Sequence, residues 1–201
     1  MWGGERSPIR RLQTEENGAA MVEMSISIVL LLVLTLGFVD LGYAYYQWNA
    51  ASSAVQVGAR MASISDPLID GVASAGNASP PVPGDPSLAY GFACTGGTDC
   101  KPVEFNRIFY GDDSDCTSAA GVRRGMCDVF PRLTPGNVEV SYTGSGLGYQ
   151  TRPGGAVPTI TVKLKGMTFQ FFFLGGLLGF TNIAMPSMLS TVTGEDMKST
   201  F

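Results

Sequence analysis

Histidine is absent from this chain of 201 residues. Its absence removes Ser–His–Asp triads, Cys–His nucleophilic pairs and most catalytic zinc sites in one step. Charge is scarce as well, at 15% of residues against about 25% in an average soluble domain. The 13 basic and 17 acidic residues leave a net charge of −4, which gives no basic face for a nucleic-acid partner. Glycine (26) and proline (12) are plentiful and predict many turns in a chain of one-domain length. Hydrophobic residues make up 45%, and they are not spread evenly.

They concentrate between Met24 and Tyr46, where Asp40 is the one charged residue. A helix needs about 20 mostly apolar residues to cross the hydrocarbon of a bilayer, and this run supplies them. Tyr43, Tyr45, Tyr46 and Trp48 close its C-terminal end, as in the aromatic belt at a headgroup layer. Arg6, Arg10 and Arg11 precede the run, while Arg60 is the one basic residue in the stretch after it. The positive-inside rule then predicts a cytoplasmic N-terminus and an exported remainder. A cleaved signal peptide fits less well, because the apolar core is long and no small-x-small site comes after it. A plain uncleaved anchor remains a competing reading.

Glu23 stands at the head of the run, behind Gly18-Ala19-Ala20-Met21-Val22. A carboxylate in a membrane segment calls for a partner. Cleavage after Gly18 would create one, the new α-amino group of Ala19, which in a stacked assembly could neutralise Glu23 of the next copy. Glycine with a carboxylate five residues on, heading an apolar helix behind a basic leader, is the pattern that prepilin peptidases process.

The stretch Glu16-Asn17-Gly18-Ala19-Ala20-Met21-Val22-Glu23, the Leu-rich run, Asp40-Leu41-Gly42, Ala50-Ala51 and Gly58-Ala59-Arg60 resemble the TadE-like family. Met24 departs from that pattern, standing where Phe or Tyr is favoured. Weaker likeness continues at Pro135-Gly136-Asn137-Val138 and Gly194-Glu195-Asp196. The family comprises pseudopilins or minor pilins of tight-adherence (Flp, type IVc) pilus systems. The resemblance implies a single-pass inner-membrane protein with a periplasmic C-terminal domain, able to enter the extracellular pilus. It also implies other pilins and pseudopilins, a prepilin peptidase and the inner-membrane assembly platform as partners.

Trp48, Ala51, Val55, Ala59 and Ala62 recur at helical spacing, which predicts that the membrane helix continues and packs this face on a sheet. From Ala19 to Ile64 such a helix would run about 69 Å, and Asp66-Pro67 should stop it. The organisation expected is a leader over 1–18, a transmembrane helix over 19–46, its exported continuation over 47–65, a loop-rich region with cysteines over 66–131, and a small antiparallel sheet over 132–201. The fold class expected is α+β and pilin-like. Strands are predicted at Val138–Tyr142, Ile160–Leu164, Met167–Phe173 and Met188–Thr193.

Cys94, Cys100, Cys116 and Cys127 in an exported segment read as two disulfides with three possible connectivities, of which sequence closeness favours Cys94–Cys100 and Cys116–Cys127. Their spacing does not read as a metal site. Asp112, Asp113 and Asp115 miss the spacing of an EF-hand loop and read as a solvated turn, and Asp128 as another loop acid. Phe169 to Phe180 is too short and too rich in glycine to span a bilayer. It reads either as core with a tucked loop or as an exposed patch for a partner or membrane surface. No catalytic, cofactor or metal set converges. The reading is a non-enzymatic pilus component with Glu23 as its assembly residue; the alternative is an uncleaved, membrane-anchored extracytoplasmic binding module.

Overall fold

The computed structural model describes residues 16–117, 123–179, 183–194 and 197. Residues 1–15 of the expected leader, Phe180 and Glu195-Asp196 lie outside the described residues. The fold is α+β, a long apolar helix and then a small antiparallel sheet of four strands. The chain divides into two compact units, one formed by residues up to 44 together with 170–181, the other by 45–169 and 182–201.

The long helix, α1, spans Glu16–Ile64. It stops two residues before Asp66, which precedes Pro67 and is pushed out of the helical region. In the second unit its small residues Ala51, Ala54, Ala59 and Ala62 are buried together with Val55. Gly58 belongs to this face, and a Cβ there would stand 2.5 Å from Met126 Sδ, so any larger residue would have to displace the buried Met126 side chain. Two details depart from the sequence reading. Trp48, expected on the buried face, is exposed and stacks on Phe169 with ring centroids 6.5 Å apart. Gln47, a polar residue outside that stripe, is buried and accepts a hydrogen bond from the Arg132 guanidinium, which also donates to the Thr168 carbonyl at 3.3 Å.

The sheet runs in the order β1 (Gly91–Thr95), β2 (Val138–Thr143), β3 (Thr159–Leu164) and β4 (Leu189–Thr193). Every neighbouring pair is antiparallel, with Val140 opposite Val162 and Tyr142 opposite Ile160. Strict alternation buries Val138, Val140 and Tyr142 on β2 and Ile160, Val162 and Leu164 on β3, and these join one core with the small face of α1. Leu189 on the edge strand β4 is exposed.

Three expectations change. Met167–Phe173 is not a strand; only Thr168 pairs, as an isolated bridge to Ala184, and the segment then turns into the short helix α4 (Leu174–Leu178). The run does not pair further because the amides of Phe172, Phe173 and Leu174 go to the Asp40 carboxylate and aromatic side chains would project from both faces. The first strand comes from the region read as loop-rich. That region also holds two helices, α2 (Pro102–Tyr110) and α3 (Met126–Val129), which place Phe105, Ile108, Phe109, Met126 and Cys127 in the core. The proline-rich stretch before β1 is tied down by buried Gln150, whose Oε1 accepts from Ala78 N–H at 2.9 Å and Val82 N–H at 3.1 Å.

Tyr142 is fully buried, and its hydroxyl accepts from Leu68 N–H at 3.2 Å. Burial pushes its phenol up to about 12. An unfolded chain ionises tyrosine near about pH 10, so above that pH the unfolded state has lost a proton that the folded state keeps. Stability is therefore fully present below about pH 10 and should fall by about 2–3 kcal/mol as pH rises through both values. Denaturant titrations of the full chain in detergent at rising pH should show this loss, and Tyr142→Phe should flatten it. An equal loss in both proteins would assign the alkaline instability to other groups.

Candidate functional site

The surface with the most unusual chemistry is the first part of α1. Met21, Val22, Met24, Val29, Leu30 and Leu34 are all exposed on different sides of the helix. A helix exposed and apolar all round suits lipid or neighbouring helices, and this one is long and apolar enough to cross a membrane. Two of its hydroxyls bond back to the helix's own carbonyls. Ser25 donates to the Met21 carbonyl at 2.7 Å, and Thr35 lies 3.0 Å from those of both Leu31 and Leu32, so neither needs water.

At the head of this helix Gly18, Ala19 and Glu23 are all exposed. A Cβ at Gly18 would meet nothing within 4 Å, so packing gives no reason for glycine there. The Glu23 side chain makes no hydrogen bond or ion pair with another described residue.

Asp40 behaves in the opposite way. It is fully buried, within the unit that joins the first part of α1 to residues 170–181. Its Oδ1 accepts the Phe172 N–H at 3.0 Å, and Oδ2 accepts those of Phe173 at 2.8 Å and Leu174 at 2.6 Å. These amides lead into α4, and the first amides of a helix have no acceptor inside it. The Phe172 ring rests on Tyr43 with centroids 4.9 Å apart, yet Phe172 and Phe173 remain exposed. The Phe169–Phe180 segment is thus divided: Phe169 packs against the core, while Phe172 and Phe173 form an exposed apolar patch.

The four cysteines stand in two pairs at disulfide distance, Cys94 with Cys100 and Cys116 with Cys127, each with Cα atoms 5.1 Å apart. Bridges closing loops of this size contribute about 2–3 kcal/mol each in the chain-entropy picture. Non-reducing peptide mapping of the exported protein should recover these two pairs, and reduction should lower its unfolding midpoint. Four free thiols would contradict the pairing.

Asp113, Asp115 and Asp128 bring carboxylate oxygens within 4.8 Å of one another, which their separation in sequence hides. Local contacts account for part of this arrangement, although Asp113 Oδ1 and Asp128 Oδ1 are buried without a hydrogen-bond partner among the described residues. Asp115 accepts from the Thr117 hydroxyl at 2.6 Å and its N–H at 2.7 Å, and these bonds hold its carboxyl below the ordinary value. Asp128 accepts from Gly125 N–H at 2.8 Å and caps α3, while Asp112 pairs with Arg123 at 2.9 Å.

The family model described as TadE-like protein matches residues 18–60. The matched stretch begins at the glycine heading the apolar helix and includes both Glu23 and Asp40. No curated protein and no solved structure matches the chain.

Proposed function

We propose that this chain is a non-enzymatic minor pilin or pseudopilin that takes part in assembling a tight-adherence type IV pilus. It is anchored in the inner membrane by residues 19–46, with residues 47–201 periplasmic, and it works with other pilins, a prepilin peptidase and the inner-membrane assembly platform. The observation that carries the reading is the head of α1. There an exposed Gly18 without a packing role and an exposed Glu23 without a partner among the described residues lead an apolar helix. The TadE-like match over the same residues supports it. A cut after Gly18 gives the next subunit an α-amino group to set against Glu23. Replacing Gly18 by Leu should leave a full-length precursor in the membrane and cells without pili. Normal piliation by an uncut Gly18→Leu protein would favour the uncleaved, membrane-anchored binding module instead.

A further inference from the structure

We infer that residues 170–176 form a second membrane contact, an apolar segment that lies among lipid acyl chains beside the C-terminal end of the spanning helix. The inference rests on the reading of α1 as a membrane span and goes beyond it. The position of the segment along α1 carries the argument. Asp40 takes the amides of Phe172, Phe173 and Leu174, the Phe172 ring meets Tyr43, and a Cβ at Gly37 would stand 3.9 Å from Leu174 Cδ2. Gly37, Asp40 and Tyr43 all fall within the apolar run that begins at Met24. At about 1.5 Å per residue Asp40 lies about 24 Å along that run, still inside a hydrocarbon layer of about 30 Å. Whatever packs on α1 at this level is therefore at membrane depth.

The segment has the chemistry for such a place. From Gln170 to Phe180 there is no charged residue. Non-helical backbone within a bilayer must have its N–H groups satisfied by protein, and the Asp40 carboxylate does this for three consecutive amides. The same contacts account for Asp40 itself, a carboxylate in a span, which persists only with a partner. Phe172 (63% exposed) and Phe173 (43% exposed) then stand on the Asp40 side of α1, flanked about 100° around the helix by Val39 and Leu41, which are also exposed. That placement selects lipid as the occupant, because the face is bordered by the surface of the span.

Photochemical labelling tests this. The full chain is reconstituted in vesicles of phosphatidylcholine and phosphatidylglycerol, with photoreactive benzoylphenylalanine at Phe172 or, in a second protein, at Phe173. Leu31 on the span serves as the lipid-facing control, and exposed Val103 on α2 as the water-facing one. Illumination should give phospholipid adducts at position 31 and at both 172 and 173, and none at 103. Adducts at 31 alone, or coupling of 172 and 173 to another polypeptide, would overturn the inference and leave the span intact. Absence of adducts at all four positions would remove the span and the inference together.

Discussion

Replacing Asp40 by Ala is expected to raise amide hydrogen exchange at Phe172, Phe173 and Leu174 by about 100-fold or more. These three N–H groups lose their acceptor at once. Hydrogen bonds to a charged group are worth about 1.5–3 kcal/mol each, and the three share one carboxylate, so their sum is smaller than three separate bonds. A conservative total of about 3 kcal/mol corresponds to about two decades in the opening equilibrium, at about 1.4 kcal/mol per decade. Asp40→Asn should fall between, since its single carbonyl oxygen accepts without the charge and the amide nitrogen cannot accept at all. The second unit contains none of these contacts, so its exchange should be unchanged in either variant. Peptide-resolved exchange of the full protein in bilayers or detergent gives both readings. Unaltered protection over 170–176 in Asp40→Ala would mean that the carboxylate does not hold this segment.

Glu23→Gln is expected to abolish pilus assembly while leaving a folded, membrane-inserted protein. Glu23 is exposed on the first part of α1 and contributes nothing to the core of the second unit. Substitution at a surface position without contacts changes stability by about 0.5 kcal/mol or less. Its effect on association is larger. A bare carboxylate near apolar lipid disfavours a lone subunit, whereas pairing with the Ala19 amine of a neighbour would give a charge-assisted contact in low dielectric and fix the axial register. Glutamine keeps the size and the hydrogen-bonding ability and removes the charge alone. Electron microscopy of cells expressing the variant should show no pili, at normal protein levels in the membrane. Normal piliation would reduce Glu23 to a boundary residue that reaches headgroup water.

Length made the first part of α1 legible, as one apolar run long enough to span a bilayer, and periodicity made the second, as a stripe of small residues at helical spacing. β2 and β3 were legible for the matching reason, alternation of Val, Tyr, Ile and Leu with polar residues. β1 was not, since Gly91-Phe92-Ala93-Cys94-Thr95 is short and poor in β-branched residues, and forms because β2 offers an edge. The sequence signal for α2 is short: Pro102 at its start and Phe105, Ile108 and Phe109 at spacings of three and one along a single face. The aromatic run at 169–173 looked like a strand by composition. Strand pairing also needs free amides, and here those of Phe172, Phe173 and Leu174 are taken by the Asp40 carboxylate as the chain enters α4.

At the site the same division holds. Gly18 and Glu23 are close in sequence and could be recognised as a pattern, and Asp40 stood out as the one charge in the apolar run. Its partners could not be found that way. They lie 132 to 134 residues further along, and they are backbone amides, which every residue but proline possesses. Asp128 joins Asp113 and Asp115 by a similar route, through the fold of α3 and not through spacing.

On the proposed function, the head of α1 is an assembly device and not merely an anchor. That role is tested most directly by mass spectrometry of the N-terminus of protein extracted from the membranes of piliated cells. The expected result is a mature chain that begins at Ala19. Functional protein that retains residues 1–18 would contradict it.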